Sequence, residues 1–246
     1  MSETIKMAHG SGGTKTSELI ERIFKKYLGN PLFTADDAAV LPANKTRLAI
    51  STDGFIVSPP DFPGGNIGKL SICGTVNDLA CMGAVPKYLT CAFVIEEGLP
   101  FDDLERYVAA MAMTADEAGV HIVAGDTKVA GRGQVDKLFI TTTGIGEIRD
   151  GLCLTGAAAR PGDKIIVSGD IGRHGCAILL ARDTFGIEAD ITSDCAPLNR
   201  TVAAVLAQTE NIHVIRDATR GGVGTVLYEI AAQSGTGMHL TVQDIP

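Results

Sequence analysis

The sequence has no tryptophan, and aromatic residues make up only 5% of its 246 positions. It has no uninterrupted apolar run of the roughly 18 residues that a membrane-spanning helix requires. Met1 to Gly10 contains no apolar segment of the kind a secretory signal needs. Positive charge is in deficit: 21 Lys and Arg stand against 29 Asp and Glu, a net charge of −8. No basic run and no Lys/Arg patch interleaved with aromatics occurs, which argues against a nucleic-acid surface. The six cysteines (Cys73, Cys81, Cys91, Cys153, Cys176 and Cys195) include no Cys-x-x-Cys and no zinc-type spacing with histidine. They read as reduced thiols of a cytoplasmic protein, packed mostly as small apolar residues, and none is nominated as a nucleophile.

The common nucleotide and hydrolase signatures are missing too. Gly64-Gly65-Asn66-Ile67-Gly68-Lys69 has the wrong spacing for a phosphate-binding P-loop, and Leu70 stands where Ser or Thr would bind magnesium. No Gly-x-Gly-x-x-Gly follows a strand, and Gly-x-Ser-x-Gly is absent. What is abundant is glycine, 29 residues, which suits an α/β protein with many backbone-level ligand contacts.

The stretch Asn66 to Pro86 organises the chain. Asn66 is a good N-cap, and Ile72, Val76, Leu79 and Ala80 recur at helical spacing as one apolar stripe. Gly83 suits a left-handed C-cap, and Pro86 stops any continuation. Asn77 and Asp78 lie within this apolar frame, where a polar pair is costly without a partner, a cap or a ligand. A further amphipathic helix is expected over 14–28. Another spans Asp102 to Ala118, carrying Leu104, Val108, Met111, Ala112, Ala115 and Ala118, with Gly119 as its stop. Strands are expected over 47–57, 88–96, 121–124 and 138–148. The strand at 121–124 is expected to run out into Gly125-Asp126-Thr127-Lys128, and Asp53-Gly54 reads as a mid-strand bulge.

The length suits two domains of roughly 100–150 residues, with a boundary in the Gly- and Pro-containing stretch 150–162. We assign 1–152 to the first and 153–246 to the second. The second is expected to hold strands at 164–168, 214–215 and 238–242 and helices over 174–185, 198–208 and 223–233.

Four separate segments deliver Asp beside small residues: Asp36-Asp37, Asp53, Asp78 and Asp126. Hard oxygen ligands with close backbone approach suit magnesium on a polyphosphate, although each aspartate alone could be an ordinary turn or cap residue. These motifs carry a resemblance. Asp36-Asp37-Ala38-Ala39-Val40, Ser51-Thr52-Asp53-Gly54, the run Asn77 to Pro86, and Gly125-Asp126-Thr127 resemble the ATP-binding motifs of the aminoimidazole ribonucleotide synthetase-like (PurM-like) superfamily. His9-Gly10-Ser11-Gly12-Gly13 and Arg216-Asp217-Ala218-Thr219-Arg220-Gly221-Gly222 are similar to those of its HypE-like, hydrogenase-maturation members.

The resemblance implies an α/β (α+β), PurM-like two-domain fold. Its N-terminal mixed sheet has helices on one side and a dimeric, barrel-like interface; its C-terminal α/β sandwich would be truncated here. It implies ATP and Mg2+ as cofactors. Binding residues would be His9, Gly12, Asp37, Asp53, Gly54, Asn77, Asp78, Gly125, Asp126 and Thr127, and metal ligands would be Asp36, Asp37, Asp53, Asp78 and Asp126. Lys128, Arg216 and Arg220 are the catalytic candidates, with solvated or ion-paired structural roles as the alternative for each. The implied reaction is ATP-dependent dehydration of a C-terminal cysteine S-carboxamide to a thiocyanate, the source of the cyanide ligand of nickel–iron hydrogenase. The implied partners are a second copy, the carbamoyltransferase HypF and the HypC–HypD complex. The family's terminal Pro-Arg-Ile-Cys is not in this sequence, so the chain as given is expected to bind ATP without carrying the carbamoyl group. Two other readings share the same motifs: a small-molecule kinase of the thiamine-monophosphate kinase type, and a nucleotide-sensing scaffold without turnover. Selenophosphate synthetase fits less well, because the N-terminal glycine loop carries His9 and no cysteine.

Overall fold

The computed structural model describes residues 3–9, 14–31, 47–148, 151–182, 186, 189–219 and 221–246. In chain order these form α1 (Thr14–Leu19), a π-helical stretch (Ile20–Lys25), α2 (Lys26–Leu28), β1 (Arg47–Phe55), β2 (Asp61–Phe62), β3 (Gly65–Asn66), α3 (Ile67–Cys81), β4 (Ala84–Glu96), α4 (Phe101–Ala118), β5 (His121–Ala130), β6 (Leu138–Ile148), α5 (Arg173–Ala181), α6 (Asn199–Gln208) and α7 (Gly222–Ser234).

Helix α3 begins where Asn66 accepts the Lys69 N–H on its side chain at 3.0 Å. It ends before Gly83, whose φ of +72° is the left-handed value that glycine adopts without strain. Ile72, Val76, Leu79 and Ala80 are all buried as expected, but so are Ile67, Ser71, Cys73, Thr75 and Cys81. The helix is therefore covered round most of its circumference. Helix α4 shows the simpler pattern: Leu104, Val108, Met111, Ala115 and Ala118 form its buried stripe, and Gly119 closes it in the left-handed conformation.

The main sheet is mixed, in the order β1-β6-β4-β5. β4 and β5 are parallel, joined by α4 as crossover, and the other pairs are antiparallel. On β4, Leu89, Cys91, Phe93 and Ile95 are buried while the residues between them are half-exposed, the period-2 signature of a sheet covered on one face. The helices cover that face, with α3 lying on β1 and β6 and α4 on α3. Between α3 and the sheet sits a small buried polar group: Thr142 Oγ1 donates to the Ser71 carbonyl at 3.0 Å and meets Thr75 Oγ1 at 2.5 Å.

Three sequence expectations need correction. β1 pairs residue for residue with β6 from Arg47↔Ile148 to Phe55↔Ile140, so Asp53-Gly54 is no bulge. β5 does not run out at Ala124; its parallel partner β4 carries the ladder through Gly125, Asp126, Thr127 and Lys128 to Ala130. The segments 164–168, 214–215 and 238–242 are not strands. Ile165, Ile166 and Val167 are 45, 88 and 42% exposed, and a strand requires a ladder partner that these segments do not have among the described residues.

The α3–α4 contact is set by Gly68. A Cβ there would lie 2.0 Å from the Tyr107 carbonyl oxygen, so the two backbones touch at this point. Gly68→Ala is expected to destabilise the protein by about 2–3 kcal/mol through overpacking, read as a lower urea midpoint with an unchanged slope.

Candidate functional site

The site is built on the second half of α3 and the facing side of β1. Ser51 and Asp53, two residues apart on β1, share one side of the strand. Gly74 and Asp78, one turn apart, share one side of α3. Ser51 Oγ donates to Asp78 Oδ2 at 2.6 Å. A Cβ on Gly74 would fall 2.7 Å from the Phe55 ring, so glycine here lets the end of β1 pack on the helix, and Asp53 Oδ2 lies beside it, 3.4 Å from the same point.

Asp217 completes this wall from the second domain, and the sequence analysis had not nominated it. Its carboxyl is in hydrogen-bonding contact with that of Asp78. Burial first, and then the Asp78 charge, push the Asp217 pKa above the ordinary carboxylate range. Cys81, one turn beyond Asn77, accepts the Asp217 backbone N–H; burial, with the two carboxylates, pushes this thiol up to about 12. It is a proton-carrying thiol and no nucleophile. The signal in the sequence was the Arg-Asp-Ala-Thr-Arg-Gly-Gly run, read there for its arginines.

The remaining nominated residues are placed as follows. Asn77 is turned toward the second domain: its Nδ2 donates to the Ala196 carbonyl at 3.0 Å, and its Oδ1 accepts the Leu198 N–H at 2.7 Å. That makes it a clamp on residues 196–198. Gly54, Thr141, Ala92 and Asp126 are ladder partners in one row across the sheet, and Asp53, Thr142, Cys91 and Gly125 in the next. Thr142 reaches α3, so Asp53 faces the helices, and Asp126 with Lys128 faces the opposite, open side. Asp126 also stands three strands from β1, roughly 14 Å at the usual spacing. Among the described residues Asp126 therefore does not join Asp53 and Asp78 in one metal centre within the chain, because alternate residues of a strand face opposite sides. Among the described residues no group of three or more His, Cys, Asp or Glu is placed to hold a metal.

Lys128 Nζ contacts both Asp126 oxygens, at 2.9 and 2.7 Å, and its side chain is 67% exposed. The Lys128 ammonium, with the Thr127 N–H, holds the Asp126 carboxyl below its usual range. Arg216 pairs with Glu229 of α7 at 2.6 Å. His9 is buried rather than loop-borne. Lys6 N–H donates to its Nδ1 at 2.9 Å, and its ring packs edge-on against Phe101 at 5.1 Å. Gly12, Asp36, Asp37 and Arg220 lie outside the described residues.

Two carboxyls in contact offer oxygen donors of the kind a divalent cation takes, with its other positions left to a ligand and water. Without a cation, ionised Asp217 destabilises the fold. Its pKa is raised in the folded state, so its contribution is most favourable below the unfolded carboxylate pKa and is lost as pH rises through the folded value. Asp217→Asn is therefore expected to raise the metal-free thermal midpoint at neutral pH. It should also flatten the decline in stability above the ordinary carboxylate range, followed by calorimetry across pH.

Comparison with known proteins gives this wall its context. Residues 35–148 match the N-terminal domain, and 160–246 the C-terminal domain, of the AIR synthase related protein family. The carbamoyl dehydratase HypE of Azotobacter vinelandii is 49% identical over 244 residues, covering 99% of this chain and 72% of that protein. The crystal structure of a hydrogenase maturation protein HypE in complex with ATP superposes with a TM-score of 0.91 at 50% identity, over 94% of this chain and 69% of that one. A HypE in complex with HypF matches with a TM-score of 0.75 at 49% identity, over 88% and 70% of the two chains. Identity of this level over nearly the whole sequence, with both domain models matched, leaves one conclusion: the chain belongs to the HypE carbamoyl dehydratases of the AIR synthase related family.

Proposed function

We propose that this protein binds Mg-ATP at the Asp53–Asp78–Asp217 wall and uses it to dehydrate a cysteine S-carboxamide to a thiocyanate during hydrogenase maturation. The observation that carries the reading is the Asp78–Asp217 carboxyl contact between the two domains, in a chain half identical to an ATP-bound HypE. Asp78 and Asp217 would hold the cation, with Asp53 beside them and Ser51 fixing the Asp78 carboxylate. A bound magnesium supplies charge neutralisation on the transferring phosphoryl group.

The chemistry assigns distinct tasks to this chain's residues. An amide oxygen is a poor leaving group until it is phosphorylated, and a proton must then leave the amide nitrogen. Lys128 is the proposed cation beside the carboxamide, and Asp126 orients its ammonium through both carboxylate oxygens. Arg216 and Arg220 are proposed to hold phosphate or the reacting tail; Arg216 already lies close enough to lower the Asp217 pKa.

The open sheet face supports a homodimer. Leu48 and Ile50 are 55 and 68% exposed on the side of β1 that α3 does not cover, and a second copy pairing there would bury them. The solved HypE–HypF complex supports HypF as a partner, and carbamoyl donation is the task proposed for it. Transfer of the cyano group to iron on HypC–HypD and a cytoplasmic location complete the proposal. Among the described residues no helix is long and apolar enough to cross a membrane.

Asp78→Asn is expected to weaken Mg-dependent ATP binding by more than about tenfold, the worth of one charged contact; unchanged calorimetric affinity removes Asp78 from the site. In a chain carrying the family's C-terminal cysteine, Lys128→Ala is expected to slow dehydration more than it weakens ATP binding. Intact mass reads this as a carbamoyl adduct that fails to lose water, and normal turnover leaves Lys128 without a catalytic part.

A further inference from the structure

The segment preceding α6 lies along α3. Beside the Asn77 clamp, the Ser193 N–H donates to the Pro63 carbonyl at 2.7 Å, near the start of the helix. A Cβ on Gly64 would fall 2.8 Å from both Ser193 N and Ser193 O, so the backbones touch there. At the far end, Asn199 Nδ2 donates to the Ala118 carbonyl at 2.8 Å. These anchors fix the position of Cys195, the residue before Ala196. Cys73 lies one turn before Asn77 on the same side of α3, and the two thiols are in hydrogen-bonding contact.

The pair is chemically asymmetric. Cys73 is 3% exposed, and Cys195 is half-buried. The Cys73 thiol donates to Cys195, which raises the pKa of Cys73 and lowers that of Cys195; Lys69, one turn before Cys73, adds positive charge near both sulfurs. A lowered, partly accessible thiol beside a proton-carrying buried one is the arrangement of an attacking and a resolving cysteine.

We propose that Cys73 and Cys195 are a redox-sensitive pair, oxidised reversibly to an intrachain disulfide that staples residues 193–199 to α3. With a small hydroperoxide as oxidant, the Cys195 thiolate attacks one peroxide oxygen. The S–O bond forms, the O–O bond breaks and hydroxide departs, leaving a sulfenic acid. The Cys73 sulfur then attacks the Cys195 sulfur: the S–S bond forms, the S–O bond breaks, and water leaves with the Cys73 proton. Two thiols lose two electrons, and the peroxide is reduced to water. A dithiol reverses the bridge by exchange. The staple holds the second domain on the helix that carries Asp78, so it constrains the domain contact beside the carboxylate wall. In a reducing compartment such a bond is transient and reports on oxidant.

The test uses the reduced chain, titrated with hydrogen peroxide, alkylated and digested with trypsin without reduction. The expected product joins the peptide of residues 70–87 to that of 183–200, with fragmentation placing the link on Cys73 rather than Cys81. It should form while the exposed Cys153 and Cys176 still accept alkylating reagent, and disappear with dithiothreitol. Oxidation should raise the thermal midpoint of the parent chain and leave that of Cys195→Ala unchanged. Cys73 that stays fully alkylatable after denaturation, once Cys153 and Cys176 have been oxidised, overturns the proposal. So does a link from Cys195 to any other cysteine.

Discussion

The structure depends on the burial of α3. The sheet packs against one side, α4 against another, and the segment before α6 against a third, so a helix read as having one apolar stripe has little exposed surface. This explains the residues that face each neighbour. Gly68 admits the Tyr107 backbone, Thr75 meets the Thr142 hydroxyl, Gly74 admits the Phe55 ring, and Asn77 satisfies backbone groups of the second domain. Enclosing a helix this fully requires each polar group to find a partner, and α3 supplies one at each of these positions.

The same burial creates the electrostatic tension at the site. Asp78 sits near the end of the enclosed helix, and Asp217 arrives beside it from the second domain. Burial, and then the Asp78 charge beside it, raise the cost of ionising Asp217, which a cation relieves. In the proposed site an ion bridging the two carboxyls would favour the bound arrangement of the two domains, and would couple nucleotide binding to domain contact through one pair of residues. Arg216, held by Glu229, lies close enough to ease part of the repulsion.

The sheet separates two sets of polar residues. Ser51 and Asp53 face the helices, while Asp126 and Lys128 face the uncovered side with Leu48 and Ile50 near the opposite edge. A single chain offers the second set only to solvent. Residues of the open face would acquire an enclosed environment if another surface covered them, which would give the proposed homodimer a chemical as well as a packing role.

Much of this was legible in the sequence. The stripe of α4, the Asn66 cap and the left-handed glycines at 83 and 119 all follow from local chemistry: periodicity, capping and the freedom of glycine at positive φ. The aspartate motifs also sufficed to indicate the superfamily, although a kinase of the same fold used the same signals until identity along the whole chain selected the dehydratases. Tertiary structure alone decided which aspartates meet. Asp126 was separated from Asp78 because alternate residues of a strand face opposite sides, and Asp217 was joined to it across more than a hundred residues of chain. His9 was drawn into the core by Phe101, and 164–168 failed as a strand for want of a neighbour. Periodicity and capping are local properties that a sequence carries on its face, whereas the meeting of distant carboxyls, thiols and strand edges is set by the packing of the whole chain.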